Sequence, residues 1–114
     1  MSMFAGTVGY YRRWRPGIPE PVAAVLDQAA PDRNPRRLLD IGTGTGLVVE
    51  ALLGRFDDII ATDNNPDMIT AAEAALQPVL PDGTSLRVIA VSAEAFTPPS
   101  GWQADLVTIC RAFH

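Results

Sequence analysis

Three glycines at every second position stand in the segment Asp40–Gly46, which follows the apolar residues Leu38 and Leu39. Glycine lets a backbone turn sharply and lets a ligand approach the main chain closely. The residues after Gly46 have helical spacing of apolar side chains, and a helix N-terminus offers N–H groups with partial positive charge. A strand, a glycine loop and a helix in this order favour a site for a nucleotide-like ligand over a plain turn.

The spacing of the glycines argues against two common nucleotide-binding classes. A dinucleotide fingerprint needs Gly or Ala three residues after its second glycine, and Leu47 occupies that position. A phosphate-binding P-loop needs Gly-Lys-Ser/Thr, and all nine basic residues of this chain are Arg.

A carboxylate follows the first glycine at a sequence separation that suits a ribose-binding residue. Asp63 follows Gly42 by 21 residues and ends a second apolar run. A carboxylate at such a position accepts hydrogen bonds from both hydroxyls of a ribose. A helix N-cap or a solvated turn are the alternative roles for this residue.

The motif Asp-Ile-Gly-Thr-Gly-Thr-Gly, followed by Asp63, closely resembles the first motifs of class I S-adenosylmethionine-dependent methyltransferases. Ser92-Ala93-Glu94 resembles the family segment that meets the adenine, although many members carry Asp where this chain has Ser92. Asp105 to His114 resembles the fourth motif, with an Ala-Phe-His ending similar to small-molecule methyltransferases of the ubiquinone/menaquinone and trans-aconitate types. Tyr11 to Pro16 resembles their N-terminal segment, which closes over the cofactor, so residues 1–18 are expected to form a lid.

The resemblance implies S-adenosyl-L-methionine as cofactor and a small-molecule methyl acceptor. Near the adenine it favours Asn64 over Met68, whose helical spacing also suits a core residue. The full set of cofactor-binding residues that it implies is Asp40, Gly42, Thr43, Gly44, Gly46, Asp63, Asn64, Met68, Ser92, Ala93, Glu94, Arg111, Tyr11 and Arg12.

His114 is the candidate general base, because it is the only histidine and lies at the predicted mouth of the site. A terminal histidine without a role is an equal alternative, and a carboxylate acceptor would need no base. The sequence predicts no metal site.

The elements that must position these residues alternate between strand and helix. The patterns predict a helix from Glu20, strands over 37–41, 58–62, 86–91 and 105–110, and helices over 47–53 and from Pro66, with Asn65 as the candidate cap of the last helix. This alternation predicts an α/β fold with a Rossmann-like parallel sheet and right-handed crossovers. The segments that follow the four strands would then share one edge of the sheet.

Composition limits the remaining classes of function. The chain has 114 residues, is 47% hydrophobic and 19% charged, and carries a net charge of −4. One globular domain is expected, and its acidity argues against broad nucleic-acid binding. Cys110 is the only cysteine, which excludes an internal disulfide. No run of residues would span a membrane and no signal peptide is recognised, so a cytoplasmic location is expected.

The resemblance covers the first four strands of a domain that normally has about three more. Residues 1–114 are therefore expected to form the N-terminal portion of a methyltransferase domain, with one face of the sheet left partly bare. A partner chain, self-association or further sequence would cover that face. Two alternatives remain: a cofactor-binding module without activity, and a nicotinamide-binding Rossmann fragment.

Overall fold

The computed structural model describes residues 17–109. Helices and strands alternate along this part of the chain, as the sequence predicts. In chain order they are α1 (Glu20–Ala29), β1 (Arg37–Ile41), α2 (Leu47–Leu52), β2 (Asp58–Asp63), α3 (Pro66–Leu76), a 3-10 turn (Gln77–Val79), β3 (Ser85–Ala90) and β4 (Leu106–Ile109).

Local signals explain where the helices begin and end. Pro21 stands in the first turn of α1, where a missing N–H costs nothing. The side chain of Asn65 caps α3 by accepting the backbone N–H of Asp67 at 2.9 Å, which confirms the predicted cap. Gly54 follows α2 with a φ of 83°, a conformation suited to a helix stop.

The four strands form one parallel sheet in the order β3-β2-β1-β4. The chain first builds outward from β1 to β3 and then returns to place β4 on the other side of β1. Strand order therefore reverses between β1 and β4. In open parallel sheets the carboxyl edge at such a reversal is the usual ligand-binding position. The predicted α/β fold with a Rossmann-like sheet is confirmed.

The larger part of the core lies between the helices and one face of the sheet. Leu38 and Ile59 are fully buried there against Leu52 of α2 and Leu76 of α3. Burial of side chains of this size is worth about 1.5–3 kcal/mol each, so this layer fixes both helices on the strands. The glycine loop, which connects β1 to α2, is thereby held at the carboxyl edge.

The opposite face is covered only in part, by the segment between β3 and β4, which contains no helix. Trp102, which is 8% exposed, packs on Leu39 and Ile60, and its indole N–H donates to Asp58 at 2.7 Å. Val107 and Ile109 of β4 remain 49% and 71% exposed. This partly bare face agrees with the sequence-based expectation, and what covers it stays a prediction.

Arg36 anchors α1 to the rest of the fold. Its guanidinium pairs with the Asp27 carboxylate and donates to the carbonyl oxygens of Ala30 and Arg55 at 2.9 and 3.0 Å. It also lies 4.5 Å from the centre of the Phe56 ring. The hydrogen bond from Arg36, followed by its charge and that of Arg55, lowers the pKa of Asp27 against the opposing effect of burial.

Candidate functional site

The glycine loop takes a left-handed backbone at each of its three glycines, with φ of 71° at Gly42, 57° at Gly44 and 86° at Gly46. Residues that carry a Cβ rarely adopt this backbone conformation. The glycines differ in what surrounds them. A Cβ on Gly46 would lie 2.8 Å from Leu76 Cδ1, whereas a Cβ on Gly44 would meet nothing within 4 Å. Gly46 therefore lets α2 pack closely against α3, and Gly44 leaves open space at the edge of the sheet.

Asp63 connects the glycine loop to the start of α3. One carboxylate oxygen accepts the backbone N–H of Gly44 at 2.9 Å, and the other accepts that of Asn65 at 2.9 Å. The carbonyl oxygen of Asp63 also accepts the N–H of Val91, the residue just after β3, at 2.9 Å. One residue thus ties together three segments of the carboxyl edge.

The N–H groups of the loop are largely engaged within the protein. The Thr43 N–H donates to the carbonyl of Thr62 at 2.8 Å, and the Gly46 N–H donates to that of Thr43 at 2.9 Å. The Gly44 N–H is bonded to Asp63, as described above. Acceptors of β2 and of the loop itself thus satisfy these three N–H groups. The expectation of free N–H groups concerns the first turn of α2, which follows Gly46, and stays a prediction.

A second carboxylate, Asp40, is fully buried at the end of β1. Its Oδ1 accepts a hydrogen bond from the hydroxyl of Thr108 on β4 at 2.6 Å. Thr108 is the register partner of Asp40 in the parallel pair. Sequence reasoning missed Thr108, since only the strand order places β4 beside β1.

Two threonine hydroxyls at this edge are buried without a hydrogen-bond partner among residues 17–109: those of Thr43 and Thr62. Thr43 is 5% exposed and Thr62 is 1% exposed. A buried unsatisfied hydroxyl is costly, and native proteins retain such groups mainly where they have a use. The Thr43 hydroxyl, within the glycine loop, therefore fits a ligand with polar atoms.

The residues predicted near the adenine lie on the segments that follow β2 and β3. Asn64 is exposed and Met68 is half-buried on α3. Ser92 is half-buried, and its hydroxyl oxygen accepts the N–H of Ala95 at 3.2 Å, while Ala93 and Glu94 are exposed. The bond between Val91 and Asp63 holds this segment beside α3. The other predicted site residues, Tyr11, Arg12, Arg111 and His114, lie outside the described part of the chain, as does Cys110.

A cleft of about 500 Å³ lies at the opposite, amino edge of the sheet. Arg33, Arg37 and Asp105 line it together with two prolines and two side-chain amides. Arg33 pairs with Asp105 at 3.0 Å, and Arg37 lies 3.5 Å from Asp58. Since these charges already have partners in the protein, the cleft is less suited to a charged ligand than the carboxyl edge.

None of the helices between residues 17 and 109 combines the length and hydrophobicity required to cross a bilayer.

The sequence matches known methyltransferases along nearly its whole length. A family model described as a methyltransferase domain matches residues 38–114. Uncharacterized methyltransferases of Mycobacterium tuberculosis and Mycobacterium bovis are each 34% identical to the chain over 113 residues. These matches cover 97% of the chain but 41% of each relative. The chain therefore spans about two fifths of the length of these curated relatives.

Solved structures agree with this assignment. An S-adenosylmethionine-bound amino pentose methyltransferase from Micromonospora echinaspora is 26% identical, with a TM-score of 0.64 over 97% of this chain and 43% of that one. An S-adenosylmethionine-dependent methyltransferase from Clostridium acetobutylicum, 18% identical, shares the fold with a TM-score of 0.65 over 96% and 44%. The family model matches more than half of the chain and establishes the family, and the chain belongs to the methyltransferase-domain family.

Proposed function

We propose that the chain forms the cofactor-binding part of an S-adenosylmethionine-dependent methyltransferase that acts on a small-molecule acceptor. The observation that carries this proposal is the position of Asp63. Its carboxylate stands beside the glycine loop, at the carboxyl edge of a methyltransferase-type sheet. Each carboxylate oxygen accepts one backbone N–H and retains capacity for a further hydrogen bond. Asp63 is therefore suited to accept the two hydroxyls of a ribose.

Charge favours a sulfonium nucleoside over a dinucleotide. A pyrophosphate needs N–H donors and positive charge, but the N–H groups of Thr43, Gly44 and Gly46 are already bonded. Asp40 and Asp63 add two carboxylates to the same edge. Such a site repels phosphate and attracts a ligand that is cationic at its reacting end and carries neutral hydroxyls elsewhere. The nicotinamide-binding alternative is correspondingly weaker.

The other candidate residues would each contact a different part of the cofactor. Asn64, Met68 and the Ser92–Glu94 segment would contact the base, while the Thr43 hydroxyl and the open space at Gly44 would receive the central part. Asp40, at the end of β1, would meet the ammonium group of the amino-acid half. Tyr11, Arg12 and Arg111 would also bind the cofactor, as the family resemblance implies.

When bound, S-adenosylmethionine supplies a methyl group on a positively charged sulfur, which is already an activated leaving group. The protein then contributes mainly position, and alignment of this kind is worth up to about 7–11 kcal/mol. His114 is the proposed base for an acceptor that must lose a proton. A cofactor-binding module without turnover is the second candidate.

Two measurements on the purified protein test the proposal. Calorimetry with S-adenosylhomocysteine and, separately, NADH should show binding of the first alone; the reverse result would support the nicotinamide alternative. Incubation with methyl-labelled cofactor and a cell extract should place label in the small-molecule fraction. Label in the protein or nucleic-acid fraction would contradict the acceptor class, and binding without any transfer would favour the inactive module.

A further inference from the structure

We propose that Thr108 is a positioning residue for cofactor binding. Its hydroxyl holds the Asp40 carboxylate in the orientation in which that carboxylate meets the α-ammonium group of the cofactor's amino-acid half. This inference rests on the proposed function and adds a residue that neither the glycine motif nor the strand patterns identify.

The contact between the two side chains is direct and shielded from water. Thr108 Oγ1 lies 2.6 Å from Asp40 Oδ1, with the residues 9% and 0% exposed. Hydroxyl-to-carboxylate hydrogen bonds of 2.5–2.7 Å are charge-assisted and about twice as strong as neutral ones. A threonine side chain is stiff about χ1 because it is β-branched. The hydroxyl therefore restrains the carboxylate to one rotation.

The order of the strands places Asp40 at the amino-acid end of the ligand. Along the carboxyl edge the strands run β3, β2, β1, β4. The proposed base contacts follow β3, and the proposed ribose carboxylate, Asp63, ends β2. A linear ligand laid across this edge has its amino-acid half over β1 and β4, where Asp40 and Thr108 pair.

The charge of the ligand agrees with this placement. The amino-acid half of the cofactor carries an ammonium group, and a carboxylate favours a cation far more strongly away from water than at the surface. Rotation of the Asp40 carboxylate would weaken that contact without affecting the ribose or base contacts made from β2 and β3. The effect of Thr108 should therefore depend on whether the ligand carries the amino-acid half.

Two ligands distinguish contacts with the amino-acid half of the cofactor from contacts with the rest of it. S-adenosylhomocysteine contains the amino-acid half, and 5′-methylthioadenosine lacks it while keeping the base, ribose and sulfur. Calorimetry on Thr108→Val should show about tenfold weaker binding of S-adenosylhomocysteine, because the Asp40 carboxylate is no longer held in the orientation that meets the ammonium group. Binding of 5′-methylthioadenosine should stay within about twofold. Thr108→Ser, which keeps a hydroxyl, should restore most of the lost affinity.

Two further variants keep the test decisive. Thr108→Ala also removes the hydroxyl and should give the same split if the valine variant fails to fold. Thr84→Val removes a hydroxyl in the turn before β3, at the opposite edge, and should bind both ligands as the wild type does. If the Thr108 variants lose affinity equally for both ligands, or lose affinity for neither, the inference is overturned while the proposed function stays intact. Absence of binding of both ligands to the wild type would overturn the proposed function and the inference with it.

Discussion

The carboxylate of Asp63 bridges the backbone N–H groups of Gly44 and Asn65, each at 2.9 Å. The residue that is proposed to bind the ribose thus also holds the glycine loop against the start of α3. Loop geometry and ligand binding depend on the same two oxygens.

Asp63→Asn should therefore weaken both ligand binding and stability. An amide presents one acceptor oxygen, so one of the two backbone N–H groups loses its partner and the ribose loses a charged acceptor. Hydrogen bonds to charged groups are worth about 1.5–3 kcal/mol, so binding of S-adenosylhomocysteine should fall by at least about tenfold. Calorimetry and urea unfolding would measure the two effects. Asp82→Asn, in an exposed turn, matches the change in charge. Undiminished affinity in Asp63→Asn would contradict the proposed ribose contact.

Gly46→Ala and Gly44→Ala should differ in their consequences. Both residues have positive φ, which costs a residue with a Cβ about 1–2 kcal/mol. At Gly46 the added methyl group also lies 2.8 Å from Leu76 Cδ1, so the loss in free energy of unfolding should exceed that at Gly44. At Gly44 the methyl group enters the open space proposed for the ligand and should reduce affinity. Urea unfolding and calorimetry on both variants separate the two roles; equal stability losses would contradict the distinction.

Thr43→Val and Thr62→Val should both stabilise the free protein. Each replaces a buried hydroxyl that has no hydrogen-bond partner within residues 17–109 by a methyl group of similar shape. Removing such a group should raise the free energy of unfolding by about 1 kcal/mol. Thr43→Val alone should also weaken the binding of S-adenosylhomocysteine, because only Thr43 is proposed to contact it. A gain in stability with unchanged affinity in both variants would remove Thr43 from the site.

The Asp27–Arg36 pair predicts a defined pH dependence. The pKa of Asp27 is lowered in the folded protein, first by the hydrogen bond from Arg36. Its contribution to stability is therefore complete above the unfolded pKa of about 4 and is lost as pH falls through the lower folded pKa. The stability difference between wild type and Asp27→Asn should stay constant from neutral pH to about pH 4 and shrink as the pH falls further, as measured by urea unfolding at each pH. Asp32→Asn removes a nearby exposed carboxylate as a control for net charge. A difference that stays constant with pH would contradict the role of this pair.

Much of this arrangement could be predicted from the sequence because it depends on local signals. Apolar runs predict β1 to β4 to within about one residue, and the position of Asn65 before Pro66 predicts the cap of α3. The motif Asp40–Gly46 with Asp63 gave the family, which the family model and relatives confirm. The shared carboxyl edge followed from the rule for parallel strands.

Other relationships depend on distances in space that no local pattern encodes. The bond between Thr108 and Asp40 spans 68 residues and requires β4 to lie beside β1 in a particular register. The hydrogen bond from the Gly44 N–H to Asp63 also lies outside local patterns, because a glycine motif does not reveal which acceptors will reach its N–H groups. The Arg36 guanidinium likewise connects the carbonyl oxygen of Ala30, at the end of α1, to that of Arg55, which follows α2.

The position of β4 beside β1 has a consequence for the route by which the protein folds. Strands β1, β2 and β3 pair with their sequence neighbours through crossovers of moderate length, whereas β4 closes a much longer loop back to β1. Closing a long loop costs conformational entropy before its non-local contacts form, so such contacts form slowly and late. The three-strand unit should accordingly form first, with docking of β4 as the step that completes the carboxylate–hydroxyl pair, so hydrogen exchange should report faster local opening at β4 than at β2.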